Sequence, residues 1–198
     1  MYKCLASIFF IILLSSALFT QSSSEQKDQY VNLDYARFQY DATSSYLEFY
    51  YSILPTQEII ENQDYRQLEF TFNIYLATDQ SLQASTPLKI ALDNYRNGTF
   101  HKNQASIGQI KTVLPIGEYK IELLPTDINL TSTFKIQEKS FKLSVFQNDR
   151  ITLSDIEIAS QINRSDNKKS IFYKNTLEVI PNPAAYFSPG SKQLGYYI

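Results

Sequence analysis

The chain has 198 residues, 18 Lys+Arg against 20 Asp+Glu for a formal charge of −2, and 43% hydrophobic residues, with Tyr 15 and Phe 13 as its aromatics and no Trp. Such a composition suits a globular chain and excludes both a highly charged disordered tail and a basic nucleic-acid binder, which needs excess Lys and Arg to displace counterions. One His, one Cys and five Gly leave no material for a Cys/His zinc cluster, a His-based triad with a thiol, or a glycine-rich phosphate cradle.

The first segment reads as an export leader over 1–24. Met1-Tyr2-Lys3 is a short cationic start, Cys4 to Leu14 is apolar, and Ser15-Ser16-Ala17 supplies small residues for a peptidase. The apolar run is shorter than the ~18–20 residues that cross a bilayer, so no membrane span is expected once the leader is removed. An uncleaved amphipathic anchor is the alternative. Cys4 leaves with the leader, so the mature chain is held by a hydrophobic core without disulfides.

Beyond the leader the pattern has period two. Asp34 to Tyr40 reads as a strand that pairs with the next, Tyr46 to Ile53, in which Leu47, Phe49, Tyr51 and Ile53 point inward. Leu68 to Leu76 is the clearest window: Leu68, Phe70, Phe72, Ile74 and Leu76 alternate with Glu69, Thr71, Asn73 and Tyr75, which puts all five apolar side chains on one strand face. Ala84 to Tyr95 reads as a strand ending at Asn97-Gly98, with a short helix as the alternative. Tyr119 to Leu123 and Phe141 to Val145 are further strands. Turn signals at Leu54-Pro55, Asn97-Gly98, Pro115-Ile116-Gly117, Pro125-Thr126-Asp127 and Asn148-Asp149 separate these runs. The expected fold is all-β, an antiparallel Ig-like β-sandwich over 25–149.

A second β domain is expected to begin at 150–198. Ile151 to Ala159 is a strand whose phase slips between Leu153 and Ile156, through a bulge or a domain junction. Asn163 to Ser170 reads as a solvated loop, Lys174 to Pro183 as a strand closed by Pro-Asn-Pro, and Leu194 to Ile198 as the start of another. Ending inside an apolar aromatic strand suggests a fragment of a longer chain.

Pro115-Ile116-Gly117-Glu118-Tyr119 resembles the P-x-G-E-Y strand opener of Ig-like extracellular domains. Leu153 to Ala159, Ile180-Pro181-Asn182-Pro183, the terminal Tyr196-Tyr197-Ile198 and the opening strands at Asp34 to Phe38 and Tyr46 to Ile53 are similar to the N-terminal half of GWxTD-domain exported bacterial proteins. The signature motif is not in the chain, which contains no Trp. The resemblance implies tandem β-sandwich modules at a cell envelope and carries over no catalytic residue.

Candidate chemistry is sparse. His101, the lone imidazole, sits in a loop-like stretch without a partner or nucleophile beside it. The acid pairs Glu58/Glu61 and Asp155/Glu157 read as surface charge, and Asp127 to Asn129 and Asn163 to Asn167 as solvated turns rather than calcium loops. Asn97-Gly98-Thr99, Asn129-Leu130-Thr131 and Asn163-Arg164-Ser165 match the glycosylation acceptor pattern by chance composition. Tyr46, Tyr50 and Tyr75, on the outward rows of their strands, form a possible binding surface unless a neighbouring domain or loop covers them. No catalytic, cofactor or metal residues are expected.

These features predict a non-catalytic, exported β-sandwich module that makes protein–protein contacts at the bacterial envelope, whether periplasmic, outer-membrane-associated or at the cell surface. Its partner is an envelope protein or another domain of a longer chain. A carbohydrate-binding or adhesin-like module using the outward tyrosines is the alternative. On the inside/outside assignment, Phe72→Asp abolishes soluble folding while Thr71→Lys leaves the melting temperature nearly unchanged; equal solubility and equal melting of the two variants would contradict it.

Overall fold

Alternating sequence becomes sheet wherever a second layer can bury the apolar row, and here three layers form. The structure, a computed structural model, describes residues 30–144, 152–187 and 194–198. The expected leader, the turn at Asn148-Asp149 and the boundary between 149 and 150 lie outside the described residues.

The first part of the chain supplies β1 (Val31–Gln39), β2 (Ser44–Ile53), helix α1 (Gln57–Glu61), β3 (Gln67–Leu76), β4 (Leu82–Ala91), helix α2 (Asp93–Arg96), β5 (Ser106–Pro115), β6 (Gly117–Pro125) and β7 (Gln137–Leu143). They pair antiparallel into a three-stranded sheet, β1-β2-β5, and a four-stranded sheet, β4-β3-β6-β7. The two sheets enclose one core: Leu47, Phe49 and Ile53 from β2 meet Leu68, Phe70, Phe72 and Ile74 from β3 and Ile121 and Leu123 from β6. The Phe49 and Phe72 rings lie 5.0 Å apart at a tilt, in the range aromatic pairs prefer. The antiparallel Ig-like sandwich expected from the alternation is therefore the fold.

Chain crossing between the sheets occurs at Pro115-Ile116-Gly117, where β5 of one sheet passes directly into β6 of the other. Tyr119, near the start of β6, donates its hydroxyl to the Pro115 carbonyl at 3.0 Å. This is the tyrosine corner of Ig-like sandwiches, in which a phenol ties a strand start to the backbone just upstream. Gly117 fits the same corner because a Cβ there would stand 3.1 Å from the Tyr119 ring.

In the sandwich, one expected strand ends early and another strand carries no sequence signal. The run from Ala84 does not stay extended to Asn97-Gly98; β4 stops at Ala91 and α2 follows. Leu92 and Tyr95 are both buried, and a spacing of three suits one side of a helical turn rather than a strand. β5 carries no clean alternation, since Ile107 and Val113 occupy one row and Ile110 and Leu114 the other. Its Gly108 is demanded by packing: a Cβ would fall 2.1 Å from Cζ of Tyr51.

The remaining chain makes a third sheet, β11-β8-β10-β9, from β8 (Glu157–Arg164), β9 (Tyr173–Lys174), β10 (Leu177–Pro181) and β11 (Gly195–Tyr197). Of the expected strand over Ile151 to Ala159, Ile151 lies outside the described residues and 152–156 are irregular; β8 begins at Glu157, so the phase slip marks the strand's start rather than a bulge within it. Asn163 and Arg164 belong to β8, and the loop starts at Ser165. The segment expected as one strand from Lys174 to Pro183 is a hairpin instead: Asn175 and Thr176 have φ of 46° and 68°, and Lys174 pairs with Leu177 across them. Two consecutive residues of positive φ match the twist of a two-residue hairpin loop. Among the described residues no helix is long and apolar enough to cross a membrane.

Removing the corner hydroxyl with Tyr119→Phe leaves the Pro115 carbonyl without that donor, and should lower unfolding stability by about 1 kcal/mol. Urea denaturation measures this; an unchanged midpoint would show that the corner bond contributes nothing.

Candidate functional site

β2 is the middle strand of the middle layer, and this placement builds the site. Its inward row faces the aromatic core. Its other row, Tyr46, Glu48, Tyr50 and Ser52, turns toward the third sheet, and Glu48 and Tyr50 are buried to 3% and 2% exposure. A carboxylate in that position must be paired, because burying a lone charge costs several kcal/mol. Its partner comes from 126 positions later in the chain.

Lys174, at the end of β9, directs its ammonium to Oε2 of Glu48 and to Oε2 of Glu157, the first residue of β8. It also donates to the Tyr50 hydroxyl oxygen at 3.3 Å. Three acceptors thus use the three donors of the ammonium. The rings of Tyr50 and Tyr197 lie 5.2 Å from Nζ and that of Phe38 lies 5.8 Å away, so aromatic faces line the cation's remaining surroundings. The Tyr50 hydroxyl donates to Glu48 Oε2 at 2.8 Å, and that of Tyr46 to Oε1 at 3.2 Å. Lys111 of β5 approaches Glu48 Oε1 at 3.7 Å from the half-open rim.

The two carboxylates therefore differ. Glu48 has two phenols and two ammonium groups about it, whereas Oε1 of Glu157 has no hydrogen-bond partner. Burial first, and the charge of Glu48 after it, push the Glu157 carboxyl above its usual range, while Lys174 pulls it back. Burial and the adjacent carboxylates likewise raise the Tyr50 phenol, keeping it protonated, and the Tyr46 phenol is pushed up to about 12. Gln109, opposite Tyr50 in register on β5, has both side-chain amide atoms buried without partners.

A second fastening lies at the margin. Arg37 of β1 grips Asp155 in a two-pronged bridge, Nε to Oδ2 at 2.7 Å and Nη2 to Oδ1 at 2.9 Å. The two backbones reciprocate: Arg37 N–H donates to Oδ2, and Asp155 N–H donates to the Arg37 carbonyl, each at 3.0 Å. Nη1 of Arg37 reaches the Lys142 carbonyl at 3.1 Å, joining β7 to the same knot. Asp34, Tyr35, Arg37, Lys139, Ser140, Asp155 and Ile156 line an open groove of about 540 Å³ here, whose charges are mutually paired, Lys139 with Asp34 at 2.8 Å.

The tyrosine surface expected from the sequence does not exist as one platform. Tyr50 lies beneath the third sheet, and Tyr46 is half-buried beside it. Tyr75 is on β3, on the outer face of the opposite sheet, where its phenol is raised by burial and by neighbouring Glu122. The acid pair Asp155/Glu157 is not surface charge: each is engaged, and Glu157 is 2% exposed. Glu58 and Glu61 are exposed, and His101 sits in an exposed loop with its backbone N–H donating to Gln104 Oε1 at 3.3 Å. Glu48 and Lys174 drew no attention in the sequence. The signal that could have found Glu48 is a charge within a strand whose two rows are both rich in aromatics.

No protein-family model matches the chain, and no curated protein is significantly similar to it. Among the described residues no group of three His, Cys, Asp or Glu is placed to hold a metal ion.

Lys174→Met removes the cation and leaves Glu48 and Glu157 facing each other, a loss expected to cost about 3–5 kcal/mol. In that variant the Glu157 carboxyl, already raised, loses the group that held it down. A carboxyl with a raised folded-state pKa contributes stability below its unfolded value, and that stability is lost as pH rises through the folded value. The variant should therefore resist urea better at about pH 5 than at about pH 8, above the ordinary Glu value of about 4.3. Urea midpoints at the two pH values measure this, and a flat or inverted dependence would contradict the arrangement.

Proposed function

We propose that this chain is a non-catalytic, exported β-sandwich module that works by protein–protein contact at a bacterial envelope, with the third sheet as its contact face. The observation that carries the reading is the distribution of exposed apolar side chains. Leu153, Ile156, Ile171, Tyr186, Leu194, Tyr196 and Ile198 are all large, apolar and exposed within 152–198. The sandwich region, 30–144, has Tyr40, Leu82, Val113, Ile116, Ile128 and Ile136 as its exposed large apolar side chains, a lower density over a much longer stretch of chain. Exposed apolar side chains gathered in one small region mark surfaces that are covered in use.

The geometry of the third sheet suits that role. β11 stands at the end of the strand order, with β8 on one side. Tyr197 turns inward over Lys174, which sends Tyr196, its neighbour in the strand, to the opposite face at 58% exposure. An edge strand bearing an outward tyrosine can accept a partner through backbone bonds and through the ring. The similarity of the opening strands to GWxTD-domain proteins, together with the leader-like start, supports an envelope location. A glycan platform built from Tyr46, Tyr50 and Tyr75 is the weaker reading, because the Tyr50 ring is covered and Tyr75 faces the other way.

Chemical crosslinking in envelope extracts, followed by size-exclusion of the tagged chain, tests the proposal. The wild type should elute in a discrete larger species. Tyr196→Asp and Ile156→Asp should shift it to the monomer position, and Tyr75→Asp should not. A wild type that elutes only as a monomer overturns the reading.

A further inference from the structure

The cluster of Glu48, Lys174 and Glu157 holds the parts of a condensation reaction. Lys174 Nζ is within hydrogen-bond contact of both carboxyl groups, and the three side chains are 7%, 5% and 0% exposed for Lys174, Glu48 and Glu157. Rings of Phe38, Tyr50 and Tyr197 surround the nitrogen. An amine held against a carboxyl group in a dry pocket meets it at an effective concentration far above any in solution.

The unequal surroundings of the carboxyls assign their roles. Glu48 accepts from the Tyr46 and Tyr50 hydroxyls and faces the Lys111 ammonium. Glu157 has an unpartnered oxygen and side-chain burial that is complete. Of the two carboxyls it is the one whose neutral form its surroundings favour, and a neutral carboxylic acid is the form an amine can attack. Lys174 becomes a nucleophile on losing a proton, for which Glu48 is the adjacent acceptor.

We propose that Lys174 and Glu157 join in an intramolecular amide bond, with Glu48 as the proton carrier. The Lys174 ammonium passes one proton to the Glu48 carboxylate. The amine lone pair then attacks Cδ of the protonated Glu157, forming the C–N bond. Glu48 takes a second proton from that nitrogen while returning one to the departing hydroxyl, so the C–O bond breaks and water leaves. The cluster starts as ammonium, carboxylate and carboxylic acid, and ends as amide, water and protonated Glu48. Charge and protons balance, nothing is oxidised or reduced, and no co-reactant is needed.

The bond would staple β9 to β8 across β10. Since Glu48 belongs to the sandwich and both joined residues to the third sheet, the reaction proceeds only after that sheet has docked. This inference stands apart from the contact role proposed above and needs no partner.

Tryptic peptide mapping of the purified, folded full chain tests it. Cleavage after Arg150 and Arg164 releases 151–164, and an amide on Lys174 blocks cleavage there, leaving 170–192 intact. The expected product is these two peptides joined and lighter than their sum by one water, with the link on Glu157 and Lys174 in fragment spectra. Ordinary cleavage after Lys174, with 151–164 free and unmodified, overturns the proposal. A bond from Lys174 to Glu48 overturns the assignment of Glu157. Glu48→Gln, checked for folding by circular dichroism, should yield unlinked peptides; a linked Glu48→Gln chain overturns the proton-carrier role, and if that variant fails to fold, the wild-type map still decides.

Discussion

β2 is buried on both of its faces, and the remainder of the molecule is arranged to make that tolerable. One row, Leu47, Phe49, Tyr51 and Ile53, joins an aromatic core that any β-sandwich could contain. The other row carries Glu48, and a carboxylate taken out of water needs a cation and donors at close range. Tyr46 and Tyr50 supply the donors from the same strand, two residues to either side, because side chains at that spacing share a face. The cation, Lys174, belongs to the third sheet. Lys111, in the same sheet as Glu48, reaches that carboxylate only from the rim at 3.7 Å, so the buried cation arrives with the docking of the third sheet.

This coupling explains why the third sheet takes one position on the sandwich. Apolar surfaces alone slide at little cost, since hydrophobic attraction has no direction. A lysine that must satisfy Glu48, Glu157 and the Tyr50 hydroxyl together has one geometry that does so. The fork between Arg37 and Asp155 pins the incoming chain a second time, where it approaches β8. With two polar fastenings fixing the inner face, the outward face of the third sheet is free to carry an exposed aromatic side chain, that of Tyr196.

Legibility in the sequence followed the physics of each element. Strands with one buried face, such as β3, announce themselves because apolar and polar residues alternate. β5 was silent because it has apolar residues in both rows, and Gly108 in place of a core side chain. The hairpin at Asn175-Thr176 was hidden because Thr is a poor host for positive φ, so the turn carried no glycine to mark it. Tyr46, Tyr50 and Tyr75 were rightly placed off the inner rows, yet that assignment could not reveal that Tyr50 would be roofed over and Tyr75 left on the far sheet.

The order of residues by itself determined the sandwich: period two, turn signals and the Pro-x-Gly-x-Tyr corner act over a few neighbouring positions, and local sterics and burial settle them. It also determined that reactive residue types are few. Only the tertiary structure decided which charges are buried together. Glu48 and Lys174 are 126 residues apart, each ordinary in its own stretch of chain, and the energy that makes them significant exists only once two sheets exclude water from between them.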